Sequence, residues 1–176
     1  MLRDRWVFKS IVSPFTLVDS SKFVLEIYCA GCNFHCKNCH NPELHDFFSP
    51  SAQWTTVNHF LDFLNPYINN NLIQEIFICG GEPLFNYNRI KFLSLLLKEI
   101  RKKRSDIKLV LFTGYDTFPD FAEPLLRYLD FVKLGKYVHT LPEKQITRTF
   151  KLASSNQKVF EVVNGKLSTK EYKKEV

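Results

Sequence analysis

Cys29-Ala-Gly-Cys32-Asn-Phe-His-Cys36-Lys-Asn-Cys39-His-Asn-Pro42 is the stretch on which the reading of this chain turns. It holds four of the five cysteines in 176 residues, and the fifth, Cys79, stands just before a second unusual stretch, Gly80-Gly81-Glu82-Pro83. Cys32, Cys36 and Cys39 form C-x3-C-x2-C, a loop short enough to wrap three thiolates around one small inorganic object. Thiolates select soft metals, chiefly zinc or iron–sulfur. A structural zinc site takes four closed ligands, commonly two C-x2-4-C pairs a dozen or more residues apart. Cys29-x2-Cys32 and Cys36-x2-Cys39 look like such pairs, but the residues 33–35 between them make a cramped tetrahedral site.

Outward from the loop, the preceding run Phe23-Val-Leu-Glu-Ile-Tyr-Cys29 reads as a buried strand. That places Cys29 in the core and leaves three ligands. A cubane iron–sulfur cluster usually takes four cysteines, so three imply an iron with an open position. On spacing alone, a zinc knuckle with His35 or His40 as fourth ligand stays open.

Composition bounds the class. An apolar fraction of 45% with 17 Phe describes a folded chain, expected as one domain over 1–176 with its core at about 23–163. No secretory pattern is read near Met1, and no apolar run approaches the ~20 residues that span a bilayer. The expectation is a cytoplasmic protein with reduced thiols and no membrane partner. The net charge of +6 gathers in Lys98–Arg104 and in a basic tail, 166–176. The first reads as a helix C-terminus, where cations oppose the dipole, and the second as a solvated, frayed end. No aromatic residue interleaves with the first cluster, so nucleic acid is not an expected partner.

Along the chain, residues 1–22 are mixed. Thr55 or Thr56 caps a helix with apolar positions Val57, Phe60, Leu61 and Leu64, stopped by Asn65-Pro66. A second strand runs from Glu75 to Cys79. Gly80-Gly81-Glu82-Pro83 then leads into an amphipathic helix reaching about Lys103, with Pro83 presetting its start. Strands follow at 107–112, 131–134 and, last, 157–163, with a helix over 118–129 and a turn at Asn164-Gly165.

Strands alternating with helices predict an α/β fold with a mostly parallel sheet. The cysteine loop, the Gly-Gly-Glu-Pro turn and Thr113-Gly114-Tyr115 all begin where strands end, the ligand-binding side of parallel α/β folds. A full eight-unit barrel needs about 250 residues, so a partial, open βα barrel is expected, with a side open to a large substrate such as a loop of another protein. His35 and His40 flank the loop, where they could tune a cluster through hydrogen bonds to sulfur. Cys79, ending a buried strand, reads as a small apolar packer.

Cys-x3-Cys-x2-Cys after a first strand, followed by Gly-Gly-Glu-Pro after a second, resembles the radical S-adenosylmethionine (SAM) enzymes. The resemblance implies that Cys32, Cys36 and Cys39 hold a 4Fe-4S cluster whose open iron chelates SAM. It implies SAM contacts at Asn38, Cys39, His40, Gly80, Gly81, Glu82, Pro83, Thr113 and Asn156, and reductive cleavage of SAM to methionine and a 5′-deoxyadenosyl radical. Cys39-His40-Asn41-Pro42, Thr113-Gly114-Tyr115 and above all Ala153-Ser154-Ser155-Asn156-Gln157 resemble, more narrowly, the activating enzymes of the anaerobic ribonucleoside-triphosphate reductase. Asp19-Ser20-Ser21 stands where that family often has a glycine-rich turn, and Leu134-Gly135 where it often has Asp-Gly.

This narrower resemblance implies a glycyl radical installed on the reductase large subunit, with a flavodoxin or ferredoxin-like electron donor. The other readings are a different radical SAM enzyme, either the activase of another glycyl-radical enzyme or a deazapurine synthase type, and a zinc-binding interaction or nucleic-acid module.

Overall fold

In the computed structural model, which describes residues 1–173, β1 (Arg3–Ser13) lies antiparallel between β2 (Phe23–Cys29) and β3 (Gln53–Thr56). α1 (Val57–Ile68), β4 (Ile73–Gly80), α2 (Tyr87–Lys103), β5 (Lys108–Phe112) and β6 (Phe131–Leu134) follow. β7 (Lys144–Gln145) and β8 (Lys151–Leu152) form a small separate hairpin, and β9 (Lys158–Val163) and β10 (Lys166–Glu171) end the main sheet. That sheet has the order β10-β9-β6-β5-β4-β2-β1-β3. Its centre, β2-β4-β5-β6, is parallel, and the flanking strands are antiparallel.

The central strands are apolar on both faces, as strands covered on two sides must be. Leu25, Ile27 and Cys29 of β2, Ile76 and Ile78 of β4, Leu109 and Leu111 of β5, and Val132 and Leu134 of β6 pack toward α1, α2 and the 3-10 helix Asp120–Tyr128. The alternate residues Val24, Phe77, Val110 and Phe131 pack on the other face against Leu17 and the segment carrying Ile146, Phe150 and Leu152. Cys29 therefore belongs to the helix-side core by strand parity, fully buried. Glu75 is buried as well, its carboxylate accepting the Leu17 and Val18 N–H groups. Burial raises its pKa against those hydrogen bonds.

Several expected boundaries move. Thr56 does cap α1, its hydroxyl accepting the His59 N–H, but Asn65-Pro66 does not stop the helix. Pro66 falls in the last turn, where a missing N–H removes only one hydrogen bond. α2 starts at Tyr87, capped by the Asn86 side chain, so Pro83 lies in the turn before it and does not preset its start. The helix expected over 118–129 is 3-10, with Pro124 inside it. The mixed N-terminal stretch contains β1, an eleven-residue strand.

Residues 166–171 of the expected basic tail are not a frayed end. They pair with β9 across Asn164-Gly165, both at positive φ, in the hairpin turn that such a dipeptide favours. Residues 174–176 lie outside the described residues. The Lys98–Arg104 cluster does end α2. Within it Arg101 and Arg104 brace neighbouring carbonyls at Tyr128, Ile107, Ile68 and Asn70. Among the described residues no helix is long and apolar enough to cross a membrane.

Candidate functional site

The cysteine loop leaves the end of β2 and is stapled at its base. Gly31 N–H donates to the Leu44 carbonyl at 2.9 Å, and Cys32 N–H to the His45 carbonyl at 3.0 Å. Within the loop, Cys39 N–H donates to the Cys36 carbonyl at 3.2 Å, and His35 and Asn38 take positive φ. Asparagine tolerates that left-handed conformation better than most residues, which gives Asn38 a backbone reason for its place. Its side chain is exposed.

The Gly-Gly turn at the end of β4 presses against this loop. Gly80 pairs with Cys29 at φ +102, and a Cβ there would stand 2.7 Å from the Cys29 N and O atoms. Gly81 N–H donates to the Cys29 carbonyl at 2.7 Å, and Glu82 N–H to the Gly31 carbonyl at 2.8 Å. Glycine is required here because backbone meets backbone.

Glu82 is buried and joins this turn to the end of β5. Its carboxylate accepts the Thr113 hydroxyl at 2.7 Å, the Gly114 N–H at 2.8 Å and the Leu84 N–H at 2.8 Å. Burial nonetheless raises its pKa. A carboxylate has about four lone-pair sites, so one acceptor position remains. Below it lies a buried ion pair. Arg89 Nε donates to Asp4 at 2.6 Å, while its guanidinium also reaches the Ala30 carbonyl at 2.5 Å and the Glu82 carbonyl at 3.2 Å. One cation thus pins the start of the cysteine loop and the Gly-Gly-Glu-Pro turn together.

These ends surround a cavity of about 420 Å³, within the range of small-molecule sites. Cys32, Cys36, Cys39 and His40 line it from the loop, Gly80, Gly81 and Glu82 from the turn after β4, and Thr113 from the end of β5. Asn38, Pro83 and Asn156 of the expected set are not among its lining residues. Pro83 is buried in the turn. Asn156 Nδ2 donates to the Lys136 carbonyl, and Gln157 Nε2 to the Gly135 carbonyl. The Ser-Ser-Asn-Gln element thus braces the 135–137 wall of the cavity, which Gln157 and the preceding Ala153 also line.

Sequence reasoning missed Lys133, Tyr28, Phe34, His45 and Tyr137 on the same lining, and gave Cys79 no part in it. Strand parity could have found Cys79 and Lys133, since both occupy inward positions at strand ends. His45 came without a signal; its Nε2 is buried without a hydrogen-bond partner.

The donor set suits a cluster. All five cysteines are free, and the three of the C-x3-C-x2-C loop share one cavity wall. Among the described residues no three His, Cys, Asp or Glu side chains crowd together as ligands of a single ion do. Burial raises the pKa of Cys32, so metal binding there would release a proton.

The matching family, described as a 4Fe-4S single cluster domain, covers residues 22–160. The chain belongs to that family. It is 26% identical to the anaerobic ribonucleoside-triphosphate reductase-activating protein of Enterobacteria phage T4 over 155 residues, 88% of this chain and 94% of that protein. It is also 33% identical to GTP 3′,8-cyclase of Campylobacter jejuni over 94 residues, 53% of this chain and 28% of that enzyme. The resemblance drawn from the cysteine loop and the Ser-Ser-Asn-Gln element to the reductase-activating family within the radical SAM enzymes agrees with these relatives.

Proposed function

We propose that this chain is a radical SAM activating enzyme that installs a glycyl radical on the anaerobic ribonucleoside-triphosphate reductase. The carrying observation is that Cys32, Cys36 and Cys39 share one cavity with the Gly-Gly-Glu turn, in a chain similar to 94% of the length of a reductase-activating protein. In this reading the three thiolates hold a 4Fe-4S cluster. Gly80, Gly81 and the remaining acceptor position of Glu82 receive the ammonium of SAM. When bound, the cluster and SAM together supply a hydrogen-abstracting carbon radical after reduction by a flavodoxin or ferredoxin-like donor.

The chain's own contribution is positional. Arg89 and Glu82 hold the loop and turn in register, and the aromatic walls keep water from the reacting atoms. The four-stranded parallel centre, with helices on one face only, is read as a partial barrel whose open side admits the reductase segment. The cytoplasm, without oxygen, is the expected setting.

The test is low-temperature EPR of the anaerobically reconstituted, reduced protein, with and without SAM, followed by addition of the reductase. A cluster signal reshaped by SAM, then a glycyl signal on the reductase, is expected. Zinc uptake with no cluster signal would move the chain to the zinc-module reading. The similarity to GTP 3′,8-cyclase favours a second reading, a radical enzyme acting on a small molecule. SAM cleavage that never yields a radical on the reductase would select it.

A further inference from the structure

Beyond the cofactor end, the cavity continues over the inner face of the sheet, where the side chains fall in cross-strand rows. Nearest the cysteine loop, Tyr28 stands opposite Cys79, and Lys133 opposite both Phe112 and Val159. One row deeper, Glu26, Phe77, Val110 and Phe131 stand side by side. Phe15, Phe77, Phe112 and Phe150 give this part of the lining its apolar character. On the sheet itself its polar groups are Glu26, Tyr28, Cys79 and Lys133; around it Lys151 is paired with Glu143, Gln157 donates to the Gly135 carbonyl, and the exposed Lys136 stands at the margin.

Their hydrogen-bonding capacity can be counted. The Tyr28 hydroxyl donates to the Glu26 carboxylate, and the Cys79 thiol lies 3.5 Å from the Ile27 carbonyl. Lys133 Nζ donates to the Gly135 carbonyl at 3.1 Å and sits 5.6 Å from the centroid of the Phe112 ring. No carboxylate among the described residues forms an ion pair with it. An ammonium has three donors, so two remain at Lys133 after Gly135, whereas Tyr28 and Cys79 have spent theirs. Lys133 is half-buried, so its two spare donors face the cavity, and a ligand that expels the cavity water leaves them unpaired unless it brings an acceptor. Burial pushes the ammonium down to about 8, although Glu82, Cys36 and Cys79 favour its charge.

We propose that Lys133 is a substrate-positioning residue, its ammonium taking a main-chain carbonyl oxygen of a peptide segment drawn into the cavity. This rests on the functional reading above, in which the substrate is a polypeptide glycine. A peptide entering an apolar cavity loses water from its carbonyls and needs donors in exchange. On this wall Lys133 supplies them, and the spare lone pairs of Glu26 can accept an amide N–H. Glu26 and Lys133 lie on β2 and β6, three strand spacings apart. With the one-row offset of ~7 Å along the strands, that is about 16 Å at ~4.8 Å per strand, the span of about five extended residues. A short extended segment can therefore reach both, with its middle held under the cofactor end.

The same donors could serve another oxygen acceptor, the carboxylate of SAM, so the experiment separates the two sources. Reconstituted wild type, Lys133→Met and Lys133→Arg are compared at matched iron content per chain. The readouts are the KM and kcat for glycyl-radical formation on the anaerobic reductase, and the Kd for SAM from the EPR change. Loss of a hydrogen bond to a charged donor predicts that Lys133→Met raises the KM about tenfold, well beyond any change in kcat or in the Kd for SAM. Lys133→Arg recovers part of the loss. A Kd for SAM that rises as much as the KM assigns the ammonium to the cofactor and overturns the proposal, as does an unchanged KM beside an active wild type. A wild type that cleaves SAM but leaves no radical on the reductase overturns the functional reading itself, and this proposal with it.

Discussion

Gly81 and Gly31 stand in backbone contact. A Cβ on Gly81 would lie 2.9 Å from the Gly31 carbonyl carbon and nearer still to its oxygen. The other neighbour in reach is the Leu44 carbonyl oxygen, also 2.9 Å away. Backbone on both sides leaves no flexible side chain to yield. Gly81→Ala should destabilise the chain by about 1–3 kcal/mol and lower the iron retained per chain, because the loop carrying Cys32 must shift. Urea unfolding of the metal-free chain and iron analysis after reconstitution measure the two effects. Unaltered values for both would mean that the turn and loop are not locked together.

Cys29 and Cys36 belong to one short stretch but should behave oppositely. Cys29 is fully buried on the helix side of the sheet, and burial pushes its thiol up to about 12. Cys29→Ala should cost about 1 kcal/mol and keep full iron. Cys36→Ala should lose the cluster and SAM cleavage with little effect on the stability of the metal-free chain. Iron loss in Cys29→Ala equal to that in Cys36→Ala would bring Cys29 into the ligand set.

The Asp4–Arg89 pair is buried on both sides. Removing one partner leaves a buried charge, so Asp4→Asn or Arg89→Met should each cost about 3–5 kcal/mol. The double variant should lose much less than the sum. Additive losses in urea midpoint would show that the two side chains do not act as a pair.

The Lys133 ammonium gives a pH signature. The folded chain releases this proton near pH 8, against an ordinary value of 10.5. Between those values the unfolded chain binds the extra proton, so this group adds stability as pH rises from about 8 toward 10.5. Glu82, Cys36 and Cys79 face it and favour the charge, and Glu26 and Tyr28 share its wall. The difference in urea midpoint between wild type and Lys133→Met should therefore climb over that interval. A flat difference would place the ammonium in water.

Much of the centre was legible because its signals are local. Apolar runs marked β2, β4, β5 and β6, apolar spacing marked α2, and the cysteine and glycine motifs marked the strand ends. The missed parts depend on distant partners. β1 carries Asp4 at a buried position, which the sequence alone contradicts until Arg89, 85 residues on, neutralises it. β10 is charged because it is an edge strand, where charge discourages further pairing, and a charged stretch near a chain end reads as a tail. Lys133 was hidden for the opposite reason, a cation inside a short apolar strand whose purpose shows only when its neighbours across the sheet are known. Asn156 was found by motif, yet its visible hydrogen bond is to the Lys136 carbonyl.

The bracing of the cysteine loop also sets an order of events. Its base is held by Arg89, which needs Asp4, and by the Gly-Gly-Glu turn, which is tied through Glu82 to Thr113 and Gly114. A growing chain that has exposed its cysteines but not yet Gly114 has thiols and no cradle. Contacts of such long range form late in folding. In the proposed reading, iron and sulfide would therefore find a complete seat only on a nearly finished sheet, and a chain stopped before Gly114 would offer them only loose thiols.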